Sequence, residues 1–161
     1  MTEAPPHQSM HTIGQDRRTG SESGLIGSRV TPADQQGSIA IDPITPTRVL
    51  VVEDNPGLRN VVGLVLQKEG YEVLTALNGA EALERVREWR PDVILLDIIM
   101  PVMDGTEFVR AYRQESSAPV PIIALTAIPE RAEEIKADYV LQKPIDIDAL
   151  LGAIERSTHA H

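Results

Sequence analysis

Val93-Ile-Leu-Leu-Asp97-Ile-Ile-Met-Pro101 is the stretch that decides the fold, because an uninterrupted apolar run leads directly into a single carboxylate. Such a run, without alternation of polar and apolar residues, is typical of a parallel β-strand that is buried on both faces. Pro101 and Gly105 then oppose continuation of the strand. We therefore expect Asp97 at the carboxyl end of a buried strand, where open α/β sheets bind their ligands.

Three further apolar segments have the same design and end in polar residues. They are Arg48–Val52 before Glu53 and Asp54, Val120–Leu125 before Thr126, and Tyr139–Gln142 before Lys143. In a parallel sheet, these ends and the end of the Asp97 strand bring three acids, one hydroxyl and one ammonium together. Clustered carboxylates repel one another unless a cation neutralises them, and ligands that offer only oxygen favour Mg²⁺. A hydroxyl and a lysine beside a metal suit a phosphoryl group.

Between the strand-like runs, apolar residues recur at spacings of three and four positions, which predicts amphipathic helices. Pro56 is typical of a first helical turn and Gly70 of a helix end. Asn78, with Glu81 three positions later, is typical of a capped start. The predicted helices cover residues 56–69, 78–89, 105–114 and 130–136, and the last begins near residue 145.

The alternation of these helices with five strands, including a short one at Tyr71–Ala76, predicts an α/β fold with a doubly wound parallel sheet. The flavodoxin-like strand order 2-1-3-4-5 places the first and third strands side by side. Asp54 follows the first of these strands, and Asp97 ends the third. We therefore expect the two carboxylates to be neighbours.

The first 46 residues differ in composition from the rest of the chain. They contain five prolines, five glycines and no aromatic residue. Such a segment buries too little apolar surface to offset its loss of conformational entropy. The sequence thus predicts a disordered extension over residues 1–46, a folded domain over 47–158 and a tail over 159–161.

Charge and composition exclude several classes of protein. The net charge of −9 argues against nucleic-acid binding, which depends on cationic contacts to phosphate. The absence of cysteine, of a secretory signal and of a long apolar run predicts a cytoplasmic protein without a membrane span. The four histidines lie near the two ends of the chain, so any phosphohistidine in this chemistry is expected on a partner.

Four motifs, taken together, resemble those of the receiver domain of two-component response regulators. The resemblance covers about residues 47–158 and keeps the order of that family. The motifs are Val51-Val-Glu-Asp-Asn55, Leu95-Leu-Asp-Ile-Ile-Met-Pro-Val-Met-Asp-Gly105, Ala124-Leu-Thr-Ala127 and Gln142-Lys-Pro144.

The resemblance implies a role for each matching residue. Asp97 would be the phosphoacceptor, and Thr126 and Lys143 would bind the phosphoryl group. The Mg²⁺ ligands would be Glu53, Asp54, Asp97 and the backbone carbonyl of Ile99. The phosphoryl group would come from a partner histidine kinase or histidine phosphotransfer protein. The chain would catalyse only its own phosphorylation and dephosphorylation. Since the sequence ends soon after the last helix, we expect a stand-alone receiver that signals through protein contacts.

Two features depart from the family pattern. Thr126 and Lys143 are closer in sequence than the family leads us to expect, so the fourth helix must be cut to a turn or two or replaced by a loop. The aromatic residue usual three positions before the lysine is replaced by Val140, and Tyr139 is one position off. In a strand, one position means the opposite face. We therefore expect Tyr139 to point away from the site, so that the usual aromatic switch is absent.

Two other functions compete with a phosphorylated receiver. The first is a receiver-shaped constitutive adaptor that binds its partners without phosphorylation. The second is a Mg²⁺ phosphatase similar to the haloacid dehalogenases, with an aspartyl nucleophile. That family needs a second aspartate two residues after the first, and Ile99 occupies this position. The complete set of acids, hydroxyl and lysine favours phosphorylation over the constitutive adaptor.

Overall fold

The computed structural model describes residues 45–160, in which five β-strands alternate with five α-helices. Residues 1–44, and with them most of the predicted extension, lie outside the described residues. The elements are β1 Arg48–Val52, α1 Pro56–Lys68, β2 Glu72–Ala76, α2 Gly79–Trp89, β3 Val93–Asp97, α3 Gly105–Glu115, β4 Ile122–Thr126, α4 Glu130–Glu134, β5 Tyr139–Gln142 and α5 Ile147–His159.

The five strands form one parallel sheet in the order β2-β1-β3-β4-β5, which confirms the predicted fold and strand order. In the register of the sheet, Val52 of β1 lies beside Leu96 of β3, and Asp97 lies beside Leu125 of β4. The residues that follow β1 therefore meet the last residue of β3 at one edge of the sheet. We call this edge the carboxyl edge.

The central strands are apolar throughout because both faces of the sheet are covered. Every residue of β3 is buried. Leu50 and Ile94 belong to a core with α2 and α3, whereas Val49 and Leu95 belong to a second core with α1 and α5. Full burial of one large aliphatic side chain stabilises a fold by about 1.5–3 kcal/mol. The sheet is thus a stiff platform for the polar residues at its edge.

Side-chain caps fix where the helices near the carboxyl edge begin. The Asn55 side chain accepts a hydrogen bond from Leu58 N at 3.0 Å, so α1 starts at Pro56, and only Asn55 separates it from Glu53 and Asp54. Asp104 and Glu107 form a reciprocal capping box at the start of α3. Each cap of this kind contributes about 1 kcal/mol. The two caps hold the loops on either side of Asp97.

The short α4 agrees with the shortened connection in the sequence, but β4 begins later than predicted. Pro121 has no N–H to donate, and Val120 N donates to the Tyr112 hydroxyl at 3.0 Å instead of to a strand. Regular pairing therefore starts at Ile122. At the other end of the chain, α5 extends to His159, one residue into the predicted tail.

Gly105 packs too closely against the end of β3 to carry a side chain. A Cβ atom there would lie 2.7 Å from Ile98 Cα and 2.8 Å from Asp97 O. We expect Gly105→Ala to destabilise the protein by about 1–3 kcal/mol, because backbone atoms would have to shift. Urea denaturation measures this change. Gly152→Ala is the control, since its Cβ would meet the movable Arg156 guanidinium and alanine favours a helix. Equal stability of Gly105→Ala and the wild type would contradict the close packing.

Candidate functional site

The polar residues predicted for the site meet at the carboxyl edge of the sheet. Asp97 and Thr126 end β3 and β4, whereas Glu53 and Lys143 follow β1 and β5 directly. Carboxylate oxygens of Glu53, Asp54 and Asp97 all lie within 4.8 Å of one another. The prediction that these three acids converge is confirmed, and we call them the acidic cluster.

Lys143 connects two members of the acidic cluster. Its Nζ atom lies 2.9 Å from Glu53 Oε2 and 3.0 Å from Asp97 Oδ2, and donates a hydrogen bond to each. Glu53 is 1% exposed and Asp97 is 5% exposed, whereas Asp54 faces solvent. Burying one charged group without a partner is strongly unfavourable, so this contact makes the arrangement possible.

One ammonium does not neutralise three carboxylates, and burial adds to the cost of charging Glu53. Burial raises the pKa of Glu53, and the nearby charge of Asp97 raises it further, although the hydrogen bond from Lys143 opposes both effects. Burial by itself lowers the pKa of Lys143, but hydrogen bonds to Glu53 and Asp97 outweigh that effect and raise it. The ammonium is therefore firmly charged, and the acidic cluster still favours additional positive charge.

Arg59, the fourth residue of α1, binds the backbone of Glu53 and Asp54. Its Nη1 atom donates to Glu53 O at 2.8 Å and to Asp54 O at 3.2 Å. Asn55 N also donates to Glu53 Oε1 at 3.1 Å. The bonds from Arg59 use the backbone carbonyls of Glu53 and Asp54 and leave the Asp54 carboxylate facing solvent. Arg59 could not be identified from the sequence, because no motif distinguishes it from other arginines on a helix surface.

The Thr126 hydroxyl is occupied within its own loop. It donates to Ile128 O at 3.2 Å and accepts from Ile128 N at 3.0 Å, and Thr126 is fully buried. Lys143 N donates to Thr126 O at 2.9 Å, which ties the end of β5 to the end of β4. Thr126 therefore lies at the predicted edge, in a conformation that the Ile128 hydrogen bonds stabilise.

Ile99 is the second residue of the loop after β3, and its N–H donates to Asp97 Oδ1 at 3.2 Å. This bond orients one carboxylate oxygen while Lys143 holds the other. Ile99 is about half exposed at the mouth of the site. Its backbone carbonyl, predicted as a metal ligand, is part of the same loop, and that role stays a prediction.

Tyr139 and Val140 lie on opposite faces of the sheet, as expected for neighbours in a strand. Tyr139 packs in the core with α1 and α5, and the Arg156 guanidinium lies 5.4 Å from the centre of its ring. Val140 is exposed on the other face. In the described residues, the aromatic side chain of β5 is thus a packing residue of the α5 side.

No helix within residues 45–160 is long and apolar enough to cross a membrane. The expected cytoplasmic location goes beyond this finding and stays a prediction.

Comparisons with known proteins agree with this architecture. Residues 49–155 match the family described as the response regulator receiver domain. The transcriptional regulatory protein TrcR of Mycobacterium tuberculosis is 36% identical over 124 residues, which cover 71% of this chain and 48% of TrcR. The DNA-binding response regulator MtrA of Mycolicibacterium smegmatis is 37% identical over 112 residues, which cover 66% of this chain and 48% of MtrA. The chain thus spans about half the length of these relatives.

Solved structures cover the same part of the chain. The chemotaxis response regulator CheY4 of Vibrio cholerae is 41% identical with a TM-score of 0.65, and the match covers 70% of this chain and 99% of CheY4. The response regulator TrrA of Thermotoga maritima, solved in complex with Mg²⁺ and BeF, is 34% identical with a TM-score of 0.61. The match covers 68% of this chain and 97% of TrrA. With its parallel sheet and converging acids, this chain belongs to the family of response regulator receiver domains.

Proposed function

We propose that the protein is a phosphorylation-activated receiver of a two-component phosphorelay, with Asp97 as its phosphoacceptor. The observation that carries this proposal is the position of Lys143, which contacts Asp97 and Glu53 at the carboxyl end of the buried strand β3. The ammonium offsets part of the charge of these two buried carboxylates. An ammonium beside Asp97 also suits the oxygens of a phosphorylated aspartate, which supports the proposal.

The acidic cluster fits a hard divalent cation, and we infer Mg²⁺. Its donors are carboxylate oxygens within 4.8 Å of one another, and a single ammonium leaves them short of positive charge. Glu53, Asp54, Asp97 and the carbonyl of Ile99 would hold the ion. When bound, Mg²⁺ would neutralise these acids and the phosphoryl oxygens. The relative TrrA was solved with Mg²⁺ and BeF, which supports this assignment.

In the proposed reaction, an Asp97 carboxylate oxygen attacks phosphorus and forms an acyl phosphate. The bond between phosphorus and the leaving atom of the donor breaks, and its electron pair stays with the donor. Lys143 keeps its charge, because its pKa is raised, and is placed to bind the new phosphoryl oxygens. The Thr126 hydroxyl has to leave Ile128 in order to reach the phosphoryl group.

Release of Thr126 from Ile128 would couple phosphorylation to the loop that follows β4. This loop and the five-residue α4 form the surface that would respond. The donor would be a histidine kinase or a histidine phosphotransfer protein, and the output a protein contact. Although relatives are named DNA-binding regulators, the match covers about half of their length. The absence of nucleic-acid binding by this chain, with its net charge of −9, stays a prediction.

Intact-mass spectrometry with acetyl phosphate tests the proposal. We expect a gain of one phosphoryl group in the presence of Mg²⁺ and none when EDTA removes the metal. An unchanged mass with Mg²⁺ would contradict the proposal and favour the constitutive adaptor. A gain that does not depend on Mg²⁺ would contradict the role of the acidic cluster.

Tyr139→Ala should cost stability without removing the response to phosphorylation. Tyr139 packs in the core on the α5 side, so we expect a loss of about 3–5 kcal/mol at most. The response should instead appear as slower amide exchange in residues 127–136 when beryllofluoride and Mg²⁺ are added. If those residues do not change, and Tyr139→Ala abolishes a response elsewhere, the aromatic switch has survived and this prediction is wrong.

The pH dependence of Mg²⁺ affinity should report the protonation of the Glu53 carboxyl group. Because its pKa is raised, a proton competes with the metal as the pH falls through that value, so affinity should decrease. In the metal-free protein, stability changes with pH in the opposite direction to Mg²⁺ affinity. Because folding raises the pKa of Glu53, the free energy of unfolding decreases as the pH rises through the raised pKa. Calorimetry over a series of pH values that rises from the usual glutamate pKa of 4.5 would show both effects. An equal pH slope in Glu53→Gln would contradict this origin.

A further inference from the structure

Arg59 donates hydrogen bonds to the carbonyl oxygens of three consecutive residues between β1 and α1. Its backbone N donates to Asn55 O at 2.9 Å, which is the first hydrogen bond of the helix. Its side-chain Nη1 atom turns back and donates to Glu53 O at 2.8 Å and to Asp54 O at 3.2 Å. One residue therefore binds every carbonyl of residues 53–55, which we call the acidic turn.

The charge of Arg59 is directed at the backbone and not at a carboxylate. Within residues 45–160, its guanidinium forms no salt bridge, although the acidic cluster includes two residues of the turn that it binds. A contact between a guanidinium and a carboxylate is the stronger type of bond, so its absence here has a consequence. The Asp54 carboxylate keeps its oxygens for another cation, while the peptide groups on either side of it are held.

The charge of Arg59 is partly offset by Glu81 of α2. Glu81 accepts a hydrogen bond from Leu77 N at 2.8 Å, and this bond is the main reason why the pKa of Glu81 is lowered. The charges of Arg85 and Arg59 lower this pKa further, although burial opposes them. The interaction with an ionised Glu81 reduces the repulsion that Arg59 would otherwise exert on a metal ion at the acidic turn.

We propose that Arg59 is a positioning residue for metal binding, which holds the acidic turn so that the Asp54 carboxylate lies ready beside the other members of the acidic cluster. The inference rests on the proposed Mg²⁺ site. The carboxylate oxygens of the cluster lie within 4.8 Å of one another and repel each other, so contacts have to oppose this repulsion. Lys143 bonds to Glu53 and Asp97. Arg59 supplies the corresponding restraint for Asp54, through the backbone.

An effect of charge alone would have the opposite sign. A cation close to the acidic cluster repels Mg²⁺, so removing Arg59 should strengthen metal binding if the residue acted only through its charge. If Arg59 positions the acidic turn, its removal should weaken metal binding, because the ion would then have to order the Asp54 carboxylate itself. The direction of the change in affinity therefore separates the two roles.

The test is the Mg²⁺ affinity of the full chain, measured by isothermal titration calorimetry. We expect Arg59→Met to bind Mg²⁺ about tenfold more weakly than the wild type, as for loss of a group that orients a metal ligand. Arg110→Met is the matched control, because Arg110 is exposed on α3 and forms no salt bridge within the part of the chain that the structure describes. It loses the same charge and should bind Mg²⁺ at least as tightly as the wild type.

Arg59→Gln provides a graded second variant, because its amide keeps donors but has no charge. Its affinity for Mg²⁺ should lie between those of Arg59→Met and the wild type. Affinity equal to or above that of the wild type in both variants overturns the proposal. If the wild type itself binds no Mg²⁺, the proposed metal site fails, whereas unchanged binding in the variants of a wild type that does bind it refutes only the role of Arg59.

Amide exchange in the metal-free protein separates positioning from a general loss of stability. Asn55 N donates to Glu53 Oε1 at 3.1 Å, so its exchange reports the order of the acidic turn. In Arg59→Met, this amide should exchange faster, while the amides of the buried strand β3 keep the protection that they have in the wild type. An equal loss of protection in the acidic turn and in β3 would show that Arg59 stabilises the fold as a whole, and would overturn the proposal.

Discussion

Asp97→Asn is expected to abolish the mass gain that acetyl phosphate and Mg²⁺ produce in the wild type. An amide nitrogen and a neutral carbonyl oxygen cannot replace the carboxylate oxygen that attacks phosphorus. The substitution keeps the shape of the side chain, and Lys143 keeps its contact with Glu53, so the protein should remain folded. Removing one of three clustered carboxylates also relieves repulsion, so the metal-free variant should be at least as stable as the wild type.

Asp148→Asn provides the control for this experiment. It makes the same chemical change in the first turn of α5, where the carboxylate is exposed. It should be phosphorylated like the wild type. A mass gain in Asp97→Asn equal to that of this control would show that another residue is the acceptor.

Asp54→Asn should cause the second largest effect, a loss of Mg²⁺ binding. Asp54 is the exposed member of the acidic cluster, so its carboxylate is the one most accessible to a metal from solvent. A ligand at 100 times its dissociation constant stabilises a protein by about 2.7 kcal/mol. We therefore expect Mg²⁺ to raise the melting temperature of the wild type and to leave that of Asp54→Asn unchanged.

Glu84→Gln changes the net charge by the same amount on the exposed surface of α2. It separates specific binding from general screening by the added salt. The melting temperature of this control should rise with Mg²⁺ as in the wild type. An equal rise in Asp54→Asn would place the metal elsewhere or limit Asp54 to a minor role.

Much of the fold could be predicted because the apolar runs and the polar residues that follow them both indicate a parallel sheet with a site at its carboxyl edge. The β3 run, buried at every residue, permits only a strand covered on both faces, and the strand order then brings Asp54 and Asp97 together. The short connection before Lys143 likewise predicted a short helix, which the structure has as α4. These features depend on local residue types and on general rules of parallel sheets.

Other features depend on particular side-chain contacts and backbone angles, which no sequence pattern reveals. The start of β4 was predicted at Val120, but the Tyr112 hydroxyl, eight positions away, takes up the Val120 N–H. Arg59 holds the carbonyls of the acidic turn through its particular side-chain conformation. The left-handed φ of Val102 is likewise invisible in the sequence, since valine normally argues against it.

The most direct test of the central claim is to locate the acyl phosphate. The protein is treated with acetyl phosphate and Mg²⁺ and then reduced with borohydride, which converts an aspartyl phosphate into homoserine. Peptide mass spectrometry identifies the position that has changed. We expect homoserine at position 97 and none at 54 or 104, and no conversion when Mg²⁺ is withheld. Homoserine at another position, or an unmodified Asp97 in a protein that has gained a phosphoryl group, would contradict the assignment of Asp97 as the phosphoacceptor.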